Sequence, residues 1–154
     1  MTRQPIVFAR FAGWHTLAAC LLAVCMAMLG MPAHATALSA ADEQNVRATV
    51  QGQLEAFAAD DADRAFAYAA PNVRAAVGTA AAFMAMVRKA YPVVYRPASV
   101  AFLKPESSGD QVIQRVQMQD AAGGAWLAVY SLQRGGKAWL ITGCVVVANK
   151  GRMA

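Results

Sequence analysis

Histidine is almost missing from this 154-residue chain: there are two, His15 and His34, both within the first 35 residues. Cysteine is nearly as scarce, with Cys20 and Cys25 in the same stretch and Cys144 alone beyond it. A domain starting after residue 35 therefore lacks the imidazole that a Ser-His-Asp or Cys-His nucleophile needs. It cannot assemble a zinc site from nitrogen and sulfur ligands. One cysteine forms no internal disulfide, so packing alone must hold the fold, even in an oxidising compartment. Charge is sparse as well, at 15% of residues, and the longest basic run is Arg88-Lys89. Nucleic-acid surfaces cluster their positive charge, so none is expected here. No glycine-rich loop has phosphate-binding spacing; Gly123-Gly124 and Gly135-Gly136 read as hairpin turns.

What is abundant is apolar. The hydrophobic fraction of 58% exceeds the usual ~45–50%, and much of the excess sits at the start. Arg3 and Arg10 precede an uncharged run, "FAGWHTLAACLLAVCMAML", which closes on "GMPAHA". Ala33 and Ala35 place small residues where a signal peptidase reads. This pattern predicts a signal peptide over residues 1–35, cleaved after Ala35, and a periplasmic or secreted product. Two alternatives stand beside it. The run is long enough to be kept as a membrane anchor, and "LAAC", Leu17 to Cys20, matches a lipoprotein processing box. Either would tether the protein; cleavage leaves no membrane contact. Losing Arg3 and Arg10 from the fourteen basic residues leaves twelve against nine acidic ones. Residues 36–154 are long enough to bury a core and read as one domain.

The first half of that domain reads as helical. Ser39 and Asp42 resemble a capping box, and Val46, Val50, Leu54 and Phe57 recur at helical spacing over about 40–59. Asp60 is expected to cap a second, short helix carrying Asp61 and Asp63 in its first turn, ended by Pro71. Thr79 caps a third over about 80–90, with Phe83, Met86, Val87 and Ala90 on one stripe, stopped by Pro92. The second half is rich in β-branched and aromatic residues. "VVYRPASVAFL", "QVIQRVQM", "AWLAVYSLQ" and "AWLITGCVVVA" read as four strands joined by turns at 105–110, 120–124 and 134–137. Three helices followed by four strands predict an α+β domain, the helices packed on one face of a curved antiparallel sheet.

The succession "QLEAFAADDADRAFAYAAPNVRAAVG", "FMAMVRKAYPVVYRP", "WLAVYSLQ" and "AWLITGCVV" resembles DUF4864, a family of uncharacterised bacterial secreted proteins. Its layout is similar to the cone-shaped nuclear transport factor 2-like (NTF2-like) superfamily. "RGGKAW" departs from the family, where an Asp-Gly turn is more usual, but Gly-Gly meets the same positive-φ requirement. The resemblance implies no particular activity, because one such fold hosts enzymes, ligand binders and scaffolds.

Carboxylates are the chemistry left. Asp60, Asp61 and Asp63 read as helix punctuation; a calcium loop needs further oxygen ligands that Ala62, Arg64 and Ala65 do not supply. No metal or cofactor is expected. Tyr68, Tyr91, Tyr95, Gln114, Arg115, Tyr130 and Thr142 are candidates to line a pocket for a small apolar ligand, or else to close the core with their polar ends at its rim. Cys144 reads as a small buried hydrophobe, with a redox role as the alternative. No acidic residue interrupts the apolar face of a predicted strand, and Glu106, Asp110 and Asp120 fall in turns. A non-catalytic binding or structural module is therefore expected. The alternative is a small-molecule isomerase or cyclase with its pocket inside the cone. The last two strands, "WLAVYSLQ" and "AWLITGCVVV", look apolar on both faces, which predicts a sheet-to-sheet homodimer through Leu127, Val129, Leu140 and Val146, or an envelope partner on that face.

Overall fold

Ser39 opens the described fold as expected. Its Oγ accepts from Asp42 N (3.1 Å) and starts helix α1, Ala40–Ala58. The computed structural model describes residues 37–108 and 110–151. The signal peptide expected over residues 1–35, its expected cleavage position Ala35 and Cys20 lie outside them. No helix among the described residues is long and apolar enough to cross a membrane. Val46, Val50, Leu54 and Phe57 form the buried stripe of α1, and Gln53 joins them. Gly52 is also buried in this helix, because the ring of Tyr68 lies where its Cβ would stand, with Cζ 2.6 Å away.

The acidic knot does two jobs. Asp60 N donates to Phe57 O and Asp61 N to Ala56 O, and Asp60 has φ 57°. This is the hydrogen-bond pattern that ends a helix on a left-handed residue, with aspartate in the place glycine usually takes. The N-cap of α2, Ala62–Ala67, is Asp61, whose Oδ1 accepts from Arg64 N (3.0 Å). Asp60 thus terminates one helix from just beyond its C-cap, Ala59, and is not the cap of the next. A side chain cannot show from local sequence which of two adjacent aspartates turns left-handed.

Five described helices replace the expected three. Pro71 does not end α2 but opens α3, Pro71–Val77, and Pro92 opens the one-turn α5, Pro92–Tyr95. Proline suits the first helical position, where no N–H is needed. Between them α4, Ala80–Ala90, starts at Thr79 as expected, its hydroxyl accepting from Ala82 N. Val93 and Val94 are both buried in α5. A strand would have pointed one of them outward, and tertiary packing overrides their β propensity.

Among the described residues the sheet has five strands: β1 Ser99–Phe102, β2 Glu106–Ser108, β3 Gln111–Gln119, β4 Ala125–Gly135 and β5 Ala138–Ala148. Its order is β1-β3-β4-β5, with β2 also pairing β3, all antiparallel. The extra strand is the segment expected to be a turn. Glu106 pairs with Ile113 across the ladder and binds Arg115 at 2.8 Å. The helices cover one face, where Val112, Val116, Met118, Ala128, Tyr130, Leu132, Trp139 and Ile141 are buried. Gln114 is buried on this face too.

One irregularity decides the other face. Leu132 pairs with Ile141 and Ser131 with Gly143, leaving Thr142 as an extra residue in β5. Its Oγ1 donates to Ser131 O (3.1 Å). Such a bulge inverts the side-chain alternation of everything beyond it. Cys144 and Val146 consequently pack toward the core, while Val145 and Val147 are 62% and 47% exposed. Val146, expected on the outer face with Leu127, Val129 and Leu140, therefore lies on the inner one.

Candidate functional site

A cavity of ≈ 120 Å³ opens between the helices and the inner side of β4 and β5. Gln53 and Phe57 of α1 form one wall, and Phe83, Met86 and Val87 of α4 another. Ala69, Val73, Tyr91 and Val94 close the flank, and Tyr130, Ile141, Gly143 and Cys144 form the floor. The aromatic side is a packed cluster: the Phe83 ring lies 5.7 Å from that of Phe57 and 5.5 Å from that of Phe66, both tilted. Such pairs hold their geometry through ring quadrupoles as well as buried area.

A polar row crosses the inner side of three strands, and its members Tyr130 and Cys144 reach the floor. Gln114 opposes Tyr130, and Tyr130 opposes Cys144. Gln114 Nε2 donates to Leu103 O (2.7 Å) and Arg115 O (2.9 Å). Its Oε1 and the Tyr130 hydroxyl are buried without a hydrogen-bond partner among the described residues. The Cys144 thiol neighbours that hydroxyl, too weak a partner to satisfy it. Burial pushes the Tyr130 hydroxyl well above its ordinary value and the Cys144 thiol up to about 12. Burial therefore favours the protonated form of both groups and disfavours the thiolate that a nucleophilic cysteine needs. On α1, Gln53 Nε2 donates to Ala65 O (3.2 Å), tying α1 to α2 beside the cavity.

Of the residues expected to line a pocket, Tyr91 and Tyr130 do so. Tyr68 covers Gly52. Gln114 points its amide toward Leu103, Arg115 pairs with Glu106, and Thr142 serves the bulge. Tyr95 leaves the cavity altogether and donates to Asp60 Oδ1. Gln53, Phe57, Val73, Phe83 and Cys144 were not foreseen as lining. For Gln53 a signal existed: it lies three residues after Val50 on the stripe that α1 buries.

A second cluster surrounds Asp60. Arg88 Nη2 reaches its Oδ1 at 3.1 Å and Arg96 Nη2 its Oδ2 at 2.9 Å. Both guanidinium groups stack on the Tyr95 ring, 5.2 and 4.8 Å from its centroid. Asp61 turns the other way to its cap, so the carboxylates do not converge. Among the described residues no group of three candidate ligands is placed to hold a metal.

No curated protein and no solved structure matches this chain. A family model does, over residues 39–154, which takes in every described helix and strand: the chain belongs to the domain of unknown function family DUF4864.

Proposed function

We propose that this domain is a non-catalytic binding module holding a small, neutral, mostly apolar ligand in the cavity between α1, α4 and the sheet. The observation that carries this reading is the wall itself, in which no residue is charged. An ionised ligand would lose its hydration there and find no counter-charge. The volume suits a ligand of about one six-membered ring, well below drug size. The alternative, an isomerase or cyclase, requires an acid/base group near the ligand. The wall holds no Asp, Glu, His or Lys, and its thiol and buried phenol stay protonated. Toluene is a suitable probe, followed by amide chemical shifts. It should perturb α4 and β5 with a Kd of about 1 mM or tighter. Val73→Phe, which fills the cavity from a half-buried position, should abolish that response while the protein stays folded. If wild-type protein ignores toluene, or Val73→Phe binds it equally well, the reading falls.

The wider setting belongs to the same proposal. The N-terminal pattern supports export, with cleavage after Ala35 and a mature protein beginning Thr36-Ala37-Leu38. Helices on one face of an antiparallel sheet, with a cavity between the layers, support placing the domain in the NTF2-like superfamily. Intact-mass measurement on the protein that cells export should give residues 36–154 without acylation. A mass retaining residues 1–35, or carrying lipid on Cys20, defeats the free-product assignment.

A further inference from the structure

The strand β5 is one edge of the sheet, and its two halves differ. The first half is covered. Ile141 N donates to Tyr68 O (2.9 Å) and Ile141 O accepts from Ala70 N (2.8 Å). Trp139 O accepts from Thr49 Oγ1 (3.3 Å), and Thr142 O from Asn72 Nδ2 (3.2 Å). The second half is open. Asn149 N donates to Ala125 O (2.8 Å), so in the ladder before it Val147 and Val145 exchange bonds with Leu127 and Val129. The alternation of an antiparallel pair then turns the N–H and C=O groups of Cys144, Val146 and Ala148 away from β4. Among the described residues nothing bonds to them.

Open edges invite pairing, and proteins ordinarily guard them with lysine, proline, charge or interruption. The opposite edge of this sheet is guarded in that manner. There β1 and β2 are separated by a break containing Lys104 and Pro105, and β2 begins with Glu106. From Gly143 to Ala148, β5 has none of these devices: the run "GCVVVA" is uncharged, free of proline, and exposes Val145 and Val147.

We propose that this open half of β5 pairs antiparallel with the same segment of a second copy, about a two-fold axis at Val146, joining two sheets into one. The segment is its own complement. Val146 meets the partner's Val146, Cys144 meets the partner's Ala148, and Val145 meets the partner's Val147. All are small and apolar. The outward groups of Cys144, Val146 and Ala148 then form about six N–H···O bonds between the chains. The nearest charge in the strand's continuation, Lys150, falls opposite Thr142 of the other copy, so no like charges face each other. Each edge is used once, and the assembly closes as a dimer rather than growing into a fibre. The exposed valines become one continuous strip across the junction. This contact differs from stacking two sheets through Leu127, Val129 and Leu140, and it does not depend on what the cavity holds.

Proline substitution separates the two arrangements, because the N–H groups at 146 and 148 face outward and are not used within the monomer. Sedimentation of the protein as its cells process it, up to about 100 µM, should show a dimer. Val146→Pro and Ala148→Pro should each weaken dimerisation by about tenfold or more. Ala148 is exposed, so Ala148→Pro tests the edge without touching the core. Val129→Lys, in the middle of the outer face, should leave the dimer intact. In amide exchange, Cys144, Val146 and Ala148 should be protected in the dimer and lose that protection in Ala148→Pro. A strictly monomeric protein overturns the proposal, whether its edge stays bare or takes up another chain's strand. So does a dimer that survives Ala148→Pro but not Val129→Lys.

Discussion

Phe57→Ala is expected to remove about 3–5 kcal/mol of stability, the range for deleting a buried phenyl ring. The side chain is 1% exposed and sits where three layers meet. It lies on the buried stripe of α1, its ring packs against Phe83 of α4, and it forms part of the cavity wall above β4 and β5. Phe83 in turn packs on Phe66 of α2, so one deletion loosens three helices. The loss combines the transfer term for the missing ring with a cavity term, and here the new void merges with one already present. A domain of this size holds about 5–15 kcal/mol in total, so the melting temperature should fall by roughly 10–25 °C. Phe57→Leu should lose less than half as much, because most of the volume remains. Met86→Ala, at a position 39% exposed on the cavity mouth, should stay within about 1 kcal/mol of wild type. Equilibrium urea unfolding measures all three. A loss below about 1.5 kcal/mol for Phe57→Ala would show that this junction is not the centre of the core.

Acid should unfold the protein, with stability falling once pH drops below about 4. Three carboxylates are held below their ordinary value of 3.8. For Asp60 the main cause is the Tyr95 hydroxyl, followed by Arg88 and Arg96. For Asp42 it is Ser39, then Trp139 Nε1 and Arg134; these contacts tie the start of α1 to the β4–β5 hairpin. For Asp120 it is Trp126 Nε1, helped by the Gly124 and Ala122 amides that close the β3–β4 hairpin. A carboxyl whose folded pKa is depressed stabilises the fold at pH above its unfolded value. That contribution disappears as pH falls through the folded value. All three act in the same direction; Asp42 and Asp60 link segments distant in sequence, and Asp120 braces its own hairpin. The described residues contain no histidine, so nothing comparable titrates between about pH 5 and 8. The urea midpoint should be flat across that interval and then drop. Asp60→Asn should lower the midpoint at neutral pH and make the acid limb shallower. A wild-type midpoint that stays level down to about pH 3 would show these carboxylates to be uncoupled from folding.

The α+β class, the starts of α1 and α4, and the cores of β3, β4 and β5 were legible in the sequence. They depend on interactions within a few residues: a hydroxyl reaching an amide three positions on, apolar residues at helical spacing, glycine-rich turns between β-branched runs. What lay beyond that reach was decided by partners far along the chain. Asp60 takes the left-handed position, and Asp61 the cap, in a fold where Arg88, Tyr95 and Arg96 receive the Asp60 carboxylate. Val93 and Val94 are helical because both can be buried there, against their strand propensity. Glu106–Ser108 becomes a strand only because β3 offers it a ladder. One extra residue at Thr142 then exchanges the faces of Val145, Val146 and Val147. A single strand cannot reveal its own bulge, since register is a property of the pair, and the candidate cavity floor and the open edge both follow from that register.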